Sequence, residues 1–180
     1  MMQQAAGELA RDYNRRKSRT GAFWDGRYHA MMVDSGQYLW ACLRYVELNM
    51  VRCGAVKHPG DWPWSGYGEL MGCRRRNRLL DLDKLLWLLR AASVAEFRLC
   101  LQATLEEAII KDQLKREPTW TECLAVGSKK YVEKIESEAR NRQRLECEKE
   151  GGVWILREEH GPVYGAKKEP ISLPGGRHFC

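Results

Sequence analysis

The run from position 38 to 54, YLWACLRYVELNMVRCG, constrains the fold more than any other stretch of the chain. Leu39, Leu43 and Val46 recur at helical spacing and predict a buried stripe, with Trp40 and Cys42 near its borders. Asp34 lies just ahead of this helix and is expected to cap it, with Gln37 completing a capping box. Gly54, after Arg52 and Cys53, suits the left-handed position that ends a helix. Steps of seven and four residues return to nearly one face, so Tyr38, Tyr45 and Asn49 lie close in angle. Tyr45 and Asn49 therefore address one site together, or Tyr45 is a core aromatic with a bonded hydroxyl.

The approach to this helix is basic and aromatic. Residues 2 to 17 read as a helix with Ala6, Leu9, Ala10 and Tyr13 on one face, ending near Gly21. Its last turn, NRRK, places cations where the helix dipole favours them. Arg15, Arg16, Lys17 and Arg19 are thus either a solvated helix end or phosphate contacts. The next segment, AFWDGRYHAMMVD, has strand character around a turn or bulge at Asp25 and Gly26. Trp24, Arg27, Tyr28 and His29 combine aromatic faces with charge, as proteins that stack single-stranded bases do, at ~1–3 kcal/mol per base. Phe23, Tyr28 and Met31 also fit a core, and strand alternation accommodates both roles. His29 has no partner at ligand spacing, so it reads as a structural or DNA-contacting residue rather than a metal ligand.

Beyond the helix, AVKHPGDWPWSGYGELMG reads as a compact loop. Pro59, Trp62, Pro63, Trp64 and Tyr67 are expected to form an aromatic plug packed back on helix and sheet. Arg74, Arg75, Arg76 and Arg78, in RRRNR, are a solvated run or an extension of a phosphate track. From Leu79 the sequence predicts three helices: LLDLDKLLWLLRAA, SVAEFRLCLQATLEEAIIKDQLKRE and SKKYVEKIESEARNRQRLE. Ser93 with Glu96 makes a capping box for the second. ECLAVGSKKYVEK has a loose helix-turn-helix outline with Gly127 at the turn. The residues from Gly151 onward, rich in Gly and Pro, are expected to be a flexible tail. The division expected is 1–78, 79–150 and 151–180.

Charge supports a boundary near residue 79. Residues 1 to 78 hold thirteen Lys/Arg against seven Asp/Glu, and the remainder holds seventeen of each, so the whole net charge of +6 sits in the first part. A polyanion is the natural partner of such a surface. No apolar run approaches the roughly 18 residues of a membrane helix, and the N-terminus lacks the apolar core of a signal peptide. These features predict a cytoplasmic protein with no membrane partner. Seven dispersed cysteines without a CxxC pair fit reduced thiols better than disulfides or zinc.

The order FWDGRYH, YVELNMVRCG, DWPWSGY, within roughly residues 1 to 72, resembles the C-terminal half of single-tyrosine HUH transposases, nearest to the REP-associated tyrosine transposase branch. The resemblance implies an α+β fold: a partial ferredoxin-like domain (helix, strand or hairpin, tyrosine helix) followed by a mainly α-helical extension. It implies binding of single-stranded or hairpin DNA and cleavage and rejoining through a 5′-phosphotyrosine link. By motif position Tyr45 is the nucleophile, and Asn49 matches the side chain that completes a Mg²⁺ or Mn²⁺ site. A phenol, with an ordinary pKa of about 10, is a poor nucleophile at neutral pH, and a metal offsets this as a Lewis acid. The family's other two ligands come from a His-hydrophobic-His strand that lies N-terminal to the matching region. The four histidines here, His29, His58, His160 and His178, include no pair two residues apart. The chain is therefore expected to be truncated, to hold an incomplete metal site, and not to bind the metal alone. Met50 also stands where the family usually has proline. The partners expected are DNA, a second copy of the chain in a homodimer, or a full-length homologue that complements the missing part. The alternatives are a non-catalytic DNA-binding remnant and a helical interaction protein.

Overall fold

The structure, a computed structural model, describes residues 2–24, 30–74, 78–139 and 145–158 and divides between Ala30 and Met31 into two units. The first is one helix and a returning hook. α1 (Met2–Arg16) ends with Ser18 at a positive φ of 49°, and the Asn14 side chain donates to the carbonyl of Gly21 at 3.0 Å. The chain then lays aromatic rings on the helix. Phe23 tilts against Tyr13 with centroids 4.8 Å apart, and Trp24 meets Phe23 edge-on at 4.6 Å. Trp24 Nε1 donates to the carbonyl of Ala6. Residues 22–24 are thus an irregular hook rather than the start of the expected strand, and 25–29 lie outside the described residues.

In the second unit the strand character survives only as β1 (Met32–Val33). α2 (Gln37–Glu47) and the short α3 (Asn49–Arg52) follow, meeting at Leu48, so the expected helix is present with a discontinuity at that residue. The capping expectation is corrected. Gly36, at φ 68°, holds the N-cap position of α2 without a side-chain bond, and Asp34 turns elsewhere. Gly54 takes the left-handed conformation expected of it, at φ 70°. The buried stripe is also corrected: Val46 is 56% exposed, while Glu47, Leu48 and Val51 are buried. Contacts advance in steps of four (39, 43, 47, 51), which winds the buried row around the helix as it crosses its partners.

Those partners are α4 (Tyr67–Leu70), α5 (Leu82–Leu89) and α6 (Val94–Ile110). Phe97, Leu101, Leu105 and Ala108 present one face of α6 to Leu48, Val51, Leu70 and Leu89 in a single apolar cluster, and Trp40 of α2 lies against Phe97 with centroids 5.3 Å apart. Ser93 accepts from the Glu96 amide at the start of α6, so the expected cap forms, but the Glu96 carboxylate does not return a bond and the capping box is not closed. The cluster joins residues on both sides of position 78, so packing does not divide the chain there. In the preceding loop Pro59 is buried in a 3₁₀ turn (Pro59–Asp61) and Tyr67 packs on the cluster. Trp64 is 81% exposed and does not belong to the plug.

The sheet is the largest departure. After α7 (Thr119–Glu122) come β2 (Ala125–Gly127), α8 (Lys129–Glu138), β3 (Leu145–Glu150) and β4 (Val153–Glu158). The order is β1-β2-β4-β3, with β1 parallel to β2 and the other pairs antiparallel. The segment AVG, expected as a helix-turn-helix turn, is a strand buried on both faces. Val126 joins Cys123, Ile155, Tyr38 and Trp120, while Ala125 joins Val132, Leu156 and Tyr131 of α8 on the other side. The third predicted helix stops at Glu138, and Leu145 to Glu150, expected partly as its continuation, pairs with β4. The tail expectation fails for Val153 to Glu158, where Ile155 and Leu156 are fully buried; residues 159–180 lie outside the described residues. The fold is therefore α+β, and of the four strands among the described residues two lie in the part expected to be helical and one in the part expected to be a tail. Among the described residues, no helix is long and apolar enough to cross a membrane.

Asp34 ties the two ends of this unit together. Its Oδ2 accepts from the backbone N–H of Ser128 at 3.1 Å and from the Ser128 hydroxyl at 2.8 Å, while its Oδ1 accepts from the Ser35 amide. Ser128 is the N-cap of α8, so a carboxylate placed for α2 instead serves the start of α8, where the helix dipole favours negative charge.

Candidate functional site

Tyr45 sits in the last turn of α2, half-buried, where the helix passes into α3. The Arg52 guanidinium lies over its ring, with Cζ 4.0 Å from the centroid, a cation–π contact. Both terminal nitrogens of Arg52 also reach back to the carbonyl of Tyr45, each at 3.4 Å, and Nη1 reaches Asn49 Oδ1 at the same distance. These bonds are long, but together they hold the guanidinium across the helix discontinuity. Arg52 Nε is buried without a hydrogen-bond partner. Trp120 of α7 approaches the Tyr45 ring at 6.1 Å between centroids, with 36° between the planes. Trp120 is positioned in turn by donating Nε1 to Glu117 Oε2 at 2.8 Å, and Glu117 pairs with Arg44 of α2 at 3.7 Å.

The face that spacing assigned to Tyr38, Tyr45 and Asn49 is divided among three surroundings. Tyr38 packs into the sheet cluster, Tyr45 meets Arg52 and Trp120, and Asn49 is exposed. Two residues of the site were not singled out from sequence. Arg52 was within reach, since it lies seven residues after Tyr45 and three after Asn49, by the rule that paired those two. Trp120 had no sequence signal, because only the tertiary fold brings α7 beside α2.

A divalent metal does not fit this arrangement. Asn49 Oδ1, the expected ligand, faces a guanidinium that would repel a cation. Among the described residues no group of three or more His, Cys, Asp or Glu side chains is placed to hold a metal ion. His58 lies in the loop, where its Nδ1 accepts from the Gly60 amide.

The residues expected to contact DNA fall into three groups. In the first unit, Arg15 pairs with Asp12 at 2.9 Å, Arg16 Nε donates to the Asp12 carbonyl, and Arg19 lies 6.0 Å from the Tyr13 ring centroid. Lys17 is exposed, and Trp24 presents about half of its surface (48%). In the second unit, Arg74 is committed to the loop: its Nη2 donates to the carbonyls of Pro63 and Ser65, at 2.6 and 3.1 Å. Arg78 is exposed. Arg27, Tyr28, His29, Arg75 and Arg76 lie outside the described residues.

Arg74 neighbours a carboxylate that organises the same loop. Glu69 is buried, and its Oε1 accepts from the amides of Leu79 and Leu80 at 2.8 and 2.6 Å. Those two bonds, with lesser help from Arg74 and Arg78, hold its pKa below the ordinary carboxylate value. A lowered folded-state pKa contributes stability above the unfolded pKa that is lost as pH falls. Glu69→Ala should therefore lower the melting temperature at neutral pH and reduce the acid sensitivity of the fold. It should also speed amide exchange at Leu79 and Leu80 by roughly tenfold or more, measured by NMR. Unchanged exchange there would refute this role.

Comparison of the chain with protein-family models, with curated proteins and with solved structures finds no match in any of the three.

Proposed function

We propose that the chain binds single-stranded, hairpin-forming DNA in the manner of a REP-associated tyrosine transposase, with Tyr45 as the residue that attacks the strand. The observation that carries this reading is the Arg52 guanidinium 4.0 Å from the Tyr45 ring. A fixed cation beside a phenol draws a phosphate to it, and a guanidinium keeps its charge throughout the working pH range. In the proposed step the phenolic oxygen bonds to phosphorus and the P–O3′ bond breaks. The 3′ oxygen leaves as a hydroxyl, the phenol gives up its proton, and Arg52 stabilises charge on the phosphoryl oxygens. Trp120 offers a face for an adjacent base. The relation of the α+β architecture to a ferredoxin-like domain belongs to the same proposal. The family's Mg²⁺ or Mn²⁺ enters no step here, because the described side chains do not form its site.

Incubation with an end-labelled DNA hairpin, with and without Mn²⁺, followed by a denaturing gel, tests the reading. A covalent adduct is expected, Tyr45→Phe should abolish it, and noncovalent binding by that variant should persist. The logarithm of affinity should fall with log salt at ~0.7 per phosphate neutralised. A second reading, non-catalytic DNA binding, is favoured by the bond from Arg52 to Asn49, which occupies the expected metal ligand. It predicts the same salt slope with no adduct under any condition. A stable homodimer on gel filtration with no DNA affinity would reject both and favour a helical interaction protein.

A further inference from the structure

A groove of about 530 Å³ opens on the other side of α2, between α2, the C-terminal end of α5 and α6. Its apolar surface is Trp40, with Ala41 and Ala91, over the buried Phe97 and Leu89, and its polar rim is Arg44, Arg90 and Glu96. The volume lies within the range of small-ligand sites, and a few convergent polar groups over an aromatic floor is their usual composition. The two arginines are not equivalent. Arg44 is paired with Glu117, whereas the Arg90 side chain is exposed and has no ion-pair or hydrogen-bond partner among the described residues.

The backbone at Arg90 is also unusual. It follows the last turn of α5 at φ 56°, ψ 35°, with its own N–H bonded to Leu86 and Trp87 carbonyls and that of Ala91 bonded to Leu86. Glycine is the ordinary occupant of this helix-ending position, because a side chain there is strained. Here the position carries a long cation at the rim of an aromatic groove.

We propose that this groove binds a nucleotide: the base lies against Trp40, the phosphate pairs with Arg90, and Glu96 accepts a hydrogen bond from an exocyclic amino group. The carboxylate selects bases with an exocyclic amino group, adenine, cytosine and guanine, over thymine, which has none, as a carboxylate does when it accepts from cytosine N4. Trp40 supplies the stacking face, already braced from below by Phe97. This site is separate from Tyr45 and does not depend on attack at that residue. The same chemistry is met by a free nucleotide or by one nucleotide of a strand.

Equilibrium dialysis of the full chain against labelled dAMP tests the proposal, with deoxyadenosine and dTMP as comparisons. dAMP should bind, deoxyadenosine should bind about tenfold or more weakly, and dTMP should be weaker than dAMP. Arg90→Gly should lose about tenfold in dAMP affinity while its melting temperature is unchanged or higher, since glycine relieves the strained backbone. Thr104→Trp, which fills the groove from α6, should block binding in a folded protein. Glu96→Gln should erase the preference of dAMP over dTMP. Displacement of dAMP by a short dA oligomer assigns the ligand to a strand, and failure of displacement assigns it to free nucleotides; both uphold the groove. Failure of dAMP to bind, or equal binding by Arg90→Gly or of deoxyadenosine, overturns it. Tyr45→Phe should bind dAMP as the parent does, so the failure of one proposal is distinct from the failure of the other.

Discussion

Gly127→Ala should destabilise the second unit by about 3 kcal/mol, at the upper end of what overpacking costs. An added Cβ would stand 2.5 Å from Asp34 Cβ and 2.7 Å from Tyr131 Cδ1. The first of these atoms is fixed to the backbone beside β1, so it yields only if β1 and β2 separate. That movement would also break the two bonds from Ser128 to Asp34 at the start of α8. Urea unfolding of both proteins measures the loss. A double-mutant cycle identifies its cause: in an Asp34→Gly background the same glycine substitution should cost markedly less, because the closest atom is gone. A Gly127→Ala protein within about 1 kcal/mol of the parent would show that the contact relaxes freely.

The second large effect concerns Glu47, which lies two residues after Tyr45 and is only 5% exposed. Burial pushes its pKa up to about 7 from 4.5, partly opposed by the Tyr67 amide, and its Oε2 has no hydrogen-bond partner. A carboxyl whose folded pKa is raised contributes fully below its unfolded pKa, and that contribution is lost as pH rises through the folded pKa. At 1.36 kcal/mol per unit the loss amounts to about 3 kcal/mol between roughly pH 4.5 and pH 7 and above. Glu47→Gln, which cannot ionise, should therefore gain on the parent by about that much across the interval. Chemical denaturation at a series of pH values measures it. Parallel pH profiles for the two proteins would mean that Glu47 is solvated or paired in a way the buried geometry does not suggest.

Much of the helical part was legible because its signals are local. The extent of α1, the left-handed Gly54 and the Ser93 cap each follow from residues within a turn or two. The row of buried side chains on α2 was only half legible. Leu39 and Leu43 face the cluster as their spacing predicts, whereas Val46 and Glu47 exchange places because the crossing of the helices selects the four-residue row. The acidic residue is thus inside and the valine outside.

The sheet was missed for physical reasons that differ from strand to strand. β2 has three residues, and with both faces covered it shows no alternation. β3, LECEKE, does alternate, but its Glu and Lys are strong helix formers and it follows a helical pattern directly. The overlooked signal was Gly151-Gly152: both residues take positive φ, 57° and 87°, as a two-residue hairpin turn requires. At the candidate site, helical spacing paired Tyr45 with Asn49 and a sequence resemblance gave them roles, while Arg52 lay on the same face unnoticed. Trp120 was beyond any local rule.

The union of β1 with β2 sets the order in which this protein is able to assemble. Ninety-four residues separate Asp34 from the Ser128 that it holds. At ~5–20 residues per second, a ribosome needs roughly 5–20 s to cover that distance. Throughout that interval β1 has no strand to pair with, while α2, α5 and α6 have already emerged with most of each other's contacts. The helical cluster is thus able to condense during synthesis, and the sheet closes last, by a long-range step that raises the contact order and slows refolding of the full chain.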